Sequence, residues 1–323
     1  MARLEAKLAR LAALAEHGCQ PRSPALEREV LESLGDRSAH VVARAARLVE
    51  KLELDGLVAD VEAQFARFRI EPQKTDKGCV AKTAIIRCLV ELERGSENVF
   101  LLGLHQVQME PAYGGRVDTA VELRAHSARG LVSTGGPETL LELTAALTDA
   151  AAMVRSAAVR ALCALGRADV TPVLWLKTLL GDTDPQVLSE SLEALLALSP
   201  ARALPLVERY LDGGDEADAE AAALALGASR GEEALAVLTK RVDSVRAGLA
   251  GTFLLAISML RREDAIAFLL DRLEQAPRSR AESIVKALAI HRHDDRIRDR
   301  AARALKKRAD RKSLEETFRT AFD

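Results

Sequence analysis

A thirteen-residue pattern recurs along this chain at a nearly constant offset, and the recurrence limits the fold more than any single motif does. Val154-Arg-Ser-Ala-Ala-Val-Arg-Ala-Leu-Cys-Ala-Leu-Gly166 superposes on Leu123-Arg-Ala-His-Ser-Ala-Arg-Gly-Leu-Val-Ser-Thr-Gly135 at an offset of 31 residues, with both arginines and the final glycine in register. A third copy starts at Val187, 33 residues on, and an earlier one runs Lys82–Leu92. Weaker copies lie near 40–54, 217–228, 246–260 and 280–291. Each copy is apolar at i, i+3/i+4 and i+7, the spacing of an amphipathic helix. A unit repeated at such a period cannot bury its own apolar face and must stack on its neighbours.

Between the copies runs a second helical pattern, as in Pro137–Leu147, Pro172–Leu180 and Ala201–Leu211. The unit is therefore helix A, a turn, and helix B. Pro24, Pro137, Pro172, Pro185 and Pro200 each read as a first helical residue. Gly166 and Gly227 read as closing B helices. Composition agrees. Aromatic residues are only 3% of the 323, and no alternating β-branched runs are present. The pattern predicts one all-α domain over 1–323, an α-solenoid (superhelix) of roughly eight to nine antiparallel helix pairs with repeats of about 31–33 residues. Residues 1–17 read as an N-terminal capping helix. Residues 294–323 read as a basic C-terminal cap whose short last helix opens on the capping box Ser313-x-x-Glu316.

An Asp in the A–B turn precedes a basic residue by six positions three times: Asp76 and Lys82, Asp118 and Arg124, Asp149 and Arg155. In this the chain resembles the HEAT-repeat family, in particular its shorter bacterial relatives of the phycobilisome-lyase HEAT-like kind. The resemblance implies that these three pairs tie one repeat to the next, a structural role. Later turns depart from it, since Asp182 faces Leu188 and Asp184 faces Glu190, so those junctions are expected to rely on packing.

The charge is balanced overall, at −2 with 29% charged residues, so an electrostatic partner must meet a local patch. Cys19, Cys79, Cys88 and Cys163 lack CxxC spacing and read as thiols in a reducing compartment. Met1–Leu8 mixes both charges, unlike a secretory leader, and the longest apolar run, between Arg246 and Arg261, is shorter than the roughly 20 residues of a membrane span. These features point to a cytoplasmic protein with no membrane contact.

Two places could carry specific contacts. Arg87, Arg129 and Arg160 share one B-helix position, joined by Arg47 if the first repeat is aligned on Leu52. Stacking would line them up as a ladder able to meet acidic peptide or phosphate, or simply to satisfy groups within the stack. The second place is an enlarged repeat. About eleven extra residues fall between Leu104 and Asp118, a loop at 105–117 that holds Glu110, Tyr113, Gly114-Gly115 and Arg116. The polar break Glu71–Gly78 is expected beside it. His291-Arg-His-Asp-Asp295 could ligate a metal, but its place at a helix end favours a dipole role.

No catalytic residue, metal or cofactor is assigned. His-Glu pairs of di-iron hydroxylases, Gly-x-Ser-x-Gly and Walker A are all missing. The expected function is a non-catalytic protein–protein interaction scaffold, with an unidentified protein on the concave surface and the 105–117 loop. Candidate contacts are Arg87, Glu110, Tyr113, Arg116, Arg129 and Arg160. The alternative is nucleic-acid binding through the arginine ladder in the manner of HEAT-like DNA glycosylases, for which one Trp is a poor match. A weaker enzymatic reading centres on Glu110, Tyr113 and Arg116.

Overall fold

The computed structural model describes residues 2–16 and 23–322 and is helical almost throughout. Cys19 and the chain ends at Met1 and Asp323 lie outside the described residues. The chain divides into two compact units, Met1–Gly166 and Arg167–Asp323.

The first unit runs α1 (Ala2–Glu16), α2 (Pro24–Leu34), α3 (Ala39–Lys51), α4 (Val58–Phe68), the single turn α5 (Pro72–Thr75), α6 (Val80–Glu91), α7 (Glu97–Leu104), β1 (Met109–Ala112), β2 (Gly115–Asp118), α8 (Val121–Thr134), α9 (Thr139–Ala146) and α10 (Ala152–Ala164). The B helices stack in series, α1 on α3, α3 on α6, α6 on α8 and α8 on α10. The A helices α2, α4, α7 and α9 each pack beside their B partner. Alanine makes the close approach of B helices possible: Ala43, Ala45 and Ala46 on α3, Ala81 and Ala84 on α6, and Ala157, Ala158 and Ala161 on α10 are all buried. The larger core side chains, Phe65, Phe68 and Phe100, come from the A helices.

The second unit repeats the plan with α11 (Val170–Leu180), α12 (Pro185–Leu198), α13 (Pro200–Asp212), α14 (Glu216–Ser229), α15 (Glu232–Arg241), α16 (Ala247–Met259), α17 (Glu263–Gln275), α18 (Arg278–Leu288), α19 (Asp295–Lys306) and α20 (Arg311–Phe322). Here α12, α14, α16, α18 and α20 stack in series.

Punctuation follows the reading from sequence in part. Pro24, Pro185 and Pro200 are first helical residues, and Asp184 caps α12 by accepting from the Gln186 amide at 2.9 Å. Pro137 instead precedes α9 by two residues, and Pro172 is the third residue of α11. Gly166, at φ 62°, does follow α10. Gly227 does not end its helix, because α14 continues to Ser229 and Arg230 takes the left-handed position at φ 54°. A Cβ at Gly227 would stand 2.6 Å from the Ala256 carbonyl oxygen. The glycine is there to let α14 touch the backbone of α16.

The capping box at Ser313 is not formed. The helix α20 begins two residues earlier and runs for twelve, and the Ser313 hydroxyl donates back to the Asp310 carbonyl at 2.7 Å. Arg308 decides this turn. It pairs with Asp310 at 2.8 Å and donates to the carbonyls of Leu273 and Ala276. The later junctions also use charge as well as packing: Asp182 is almost buried and accepts from Lys177 at 2.6 Å, five residues before it rather than six after.

Candidate functional site

The enlarged repeat is not an irregular loop. Residues 109–118 form a two-stranded antiparallel hairpin with Pro111 opposite Arg116 and Ala112 opposite Gly115. The turn is Tyr113-Gly114, and the positive φ of Gly114 (85°) and Gly115 (154°) is what glycine supplies there.

A buried polar spine anchors the hairpin to α6. Asp76 and Lys82 are both fully buried and lie 3.0 Å apart. Asp76 also accepts from the Ala81 and Lys82 amides, at 2.8 and 3.1 Å. The Lys82 ammonium donates further to the Phe68 carbonyl (3.1 Å) and to Gln108 Oε1 (2.8 Å). Gln108 Nε2 in turn donates to the Asp76 carbonyl (2.8 Å) and to Glu110 Oε1 (2.6 Å). Glu110 Oε1 also accepts from the Gly78 amide (2.7 Å) and the Thr119 hydroxyl (3.2 Å). Burial opposes ionisation of Glu110, but these donors outweigh it and hold its carboxyl below the usual range. The break at 71–78 does lie beside the hairpin, with Gln73 donating to the Met109 carbonyl at 2.9 Å.

The spine continues through Asp118, which accepts from the Gln108 and Ala120 amides at 3.0 Å each. Arg124, 4% exposed, grips Asp118 at 2.6 Å and reaches Asp149 of the next turn through two nitrogens, at 2.8 and 3.1 Å. Arg124 thus ties two repeats. Arg155 donates to the carbonyls of Asp149 and Ala150, at 2.9 and 3.1 Å.

Beside the spine, an open groove of about 1050 Å³ runs along α6, α8 and α10. Its floor holds Ala125, Gly130, Ala157 and Ala161, and its edges carry Glu93, Glu122, Arg129, Met153 and Arg160. A second hollow of about 520 Å³ shares Glu122, His126 and Met153 with it, and extends to Arg47, Arg87 and Val117 of the hairpin. The four ladder arginines therefore do line neighbouring hollows. Arg87 and Arg129 are not free cations, however. Arg87 forks onto Glu50 of the preceding B helix at 3.0 and 3.2 Å, and Arg129 pairs with Glu91 at 2.7 Å. His126 sits between them. Partial burial, then the charges of Arg129 and Arg87, hold its pKa below the usual imidazole value.

The candidate contacts fare differently. Tyr113 stands fully exposed at the hairpin tip, and Arg116 is exposed with its guanidinium folded onto the Met109 carbonyl at 2.7 Å. Glu110 points inward and is spent on the spine, so it is corrected from a surface contact to an anchor. With Glu110 enclosed and Tyr113 in solvent, the three residues of the enzymatic reading do not converge. Gln108, His126, Glu50 and Glu91 were missed. Glu50 and Glu91 lie 37 and 38 residues before the arginines they pair with, so no local spacing signalled the ion-pair ladder. In the His-x-His segment, His291 contacts the Ser258 carbonyl at 3.0 Å and Asp294 caps α19 through the Arg296 amide at 3.0 Å. The Cys79 and Cys88 thiols are buried, which pushes their pKa values up to about 11 and about 12.

The stacked helix pairs, with acid–base ties at their turns, define an all-α helical-repeat protein. Comparison with solved structures returns the complex of CpcE and CpcF of phycocyanin lyase from Nostoc sp. PCC7120, at 17% identity over 94% of this chain and 96% of that one, with a TM-score of 0.38. An engineered protein is similar at 17% identity over 97% and 93%, TM-score 0.38. Human deoxyhypusine hydroxylase in complex with glycerol follows at 14% identity over 90% and 98%, TM-score 0.28. No family model and no curated protein matches the chain.

Proposed function

We propose that the first unit is a non-catalytic docking module that holds a protein partner in the groove along α6, α8 and α10, with the hairpin as a second contact. The observation that carries this is the set of exposed apolar side chains at the groove edge, where Met153 stands, and on the hairpin, whose Val117 lines the adjoining hollow. Val107, Met109, Tyr113 and Val117 of the hairpin region and Met153 of α10 are all exposed. Exposed large apolar groups beside a concave, alanine-floored surface mark an interaction site. Nucleic acid fits the groove less well, because Arg87 and Arg129 already carry Glu50 and Glu91 as counter-charges.

The test is site-specific photo-crosslinking. A photoreactive residue at Ala125 or Tyr113 is expected to capture one discrete protein, while the same residue at the exposed Arg28 of α2 captures none. Ala164→Trp, which narrows the groove from an exposed position, and Tyr113→Ser should abolish capture without loss of helix content. Capture that survives both substitutions would refute the reading.

A further inference from the structure

The second unit ends in a surface of a different kind. Residues 291–312 hold ten Lys and Arg against four Asp in a chain whose total charge is −2. Elsewhere in this unit many cations are matched. Arg241 pairs with Glu208 and Asp212, Arg246 with Glu216, Arg272 and Arg280 with Asp243, and Arg278 with Glu282. On α19, Arg300 and Lys307 flank the buried side and reach Glu263 and Glu274 of α17.

Arg292, Arg296, Arg303, Lys306, Arg311 and Lys312 differ from these and crowd into 21 residues of the chain. All six are exposed, and none has a carboxylate at ion-pair distance among the described residues. Arg296, Arg303 and Lys306 follow one another at i, i+7 and i+10. They therefore share the solvent face of α19, opposite buried Ala301, Ala304 and Leu305. Asp299 shares that face and lowers its charge by one. Ten residues of helix place the outer two about 15 Å apart along the axis. That span covers several charges of a duplex, which carries one phosphate per ~3.4 Å of each strand.

We infer that this face of α19 and the turn into α20 form a phosphate-docking surface for duplex nucleic acid. The chemistry of the patch selects that occupant over a protein. No large hydrophobic side chain in 292–322 is exposed, so the patch lacks the apolar or aromatic anchors on which protein interfaces depend. It also lacks exposed aromatics for stacking single-stranded bases. What it offers is uncompensated positive charge, sufficient for a phosphate backbone read without regard to sequence. The surface is separate from the groove of the first unit and stands or falls independently of it.

The experiment is a fluorescence-anisotropy titration of the full chain with a 20-base-pair DNA duplex at 50 and 200 mM KCl. With about four phosphate contacts, affinity is expected to fall about 100-fold between the two salts. R296E/R303E/K306E should weaken binding at 50 mM at least tenfold. R28E/R37E/R69E, an equal charge reversal at exposed positions of the first unit, should change it far less. Circular dichroism of both variants confirms the fold. Absence of binding at 50 mM, or equal losses in the two triple variants, would overturn the inference. So would displacement of the duplex by polyglutamate at equal charge concentration, an outcome that assigns the surface to an acidic protein.

Discussion

Gln108 accepts a hydrogen bond from the buried ammonium of Lys82 at 2.8 Å, and this contact orients the Gln108 amide so that its nitrogen faces Glu110. One neutral side chain thereby joins the acid–base tie of a repeat turn to the anchor of the hairpin. Gln108→Leu would leave Lys82 short of an acceptor and Glu110 short of a donor, both inside the protein. The expected loss is about 2–4 kcal/mol, since each unmet buried group costs roughly 1–3 kcal/mol. Chemical denaturation checks it, and a midpoint equal to that of the parent would show that the spine contributes nothing.

The Arg124 guanidinium holds two successive turns, through Asp118 and Asp149. Lysine keeps the charge but cannot span both carboxylates with a planar fork. Arg124→Lys is therefore expected to cost about 2 kcal/mol or more, and Arg124→Ala about 3–5 kcal/mol because two partly buried carboxylates lose their counter-charge. Equal midpoints for the Lys variant and the parent would show that one tie suffices.

Glu110 has a pH signature. Its native carboxyl lies below the ordinary range, so the folded state binds its proton less readily than the unfolded chain does. Its contribution is complete above the unfolded value of about 4.3 and is lost as the pH falls through the lower native value. Stability of the parent should decline across that acid window more steeply than that of Glu110→Gln, measured as melting temperature against pH. Parallel profiles would mean that Glu110 is not the anchor.

Gly227→Ala places a methyl against the Ala256 backbone at 2.6 Å, where no side chain can move aside. Alanine favours helix by nearly 1 kcal/mol over glycine. Overpacking of about 1–3 kcal/mol is expected to win here, so that the variant melts lower. A higher melting temperature would place α14 farther from α16 than the structure has it.

The helix pairs were legible from spacing alone because amphipathic periodicity is a local property that stacking only exploits. Lys82, Arg124 and their aspartates stood out through the family resemblance, which works because a residue six positions away across one turn is a near neighbour in the chain. The partner of Asp149 was not legible. The six-residue spacing paired Asp149 with Arg155, and nothing in it pointed to Arg124 of the previous repeat, 25 residues back, which grips the Asp149 carboxylate. The enlarged repeat was located correctly and assigned the wrong shape. Its Glu-Pro-Ala-Tyr-Gly-Gly run has too few residues to show strand alternation, and Glu110 turns inward only because Gly78 and Gln108 wait there as donors.

The amino-acid sequence by itself determined that this chain is built from repeated antiparallel helix pairs, where its acid–base turns lie, and where one repeat is enlarged. The tertiary structure alone decided which charges are spent and which remain. Arg87 and Arg129 are matched by glutamates on the neighbouring B helix, Glu110 is enclosed, and the cations along the outer face of α19 are left to solvent. The physical reason is that periodicity sets the face of a helix on which a charge stands, whereas its neutralisation depends on which residue, some thirty positions away, stacking brings within hydrogen-bond reach.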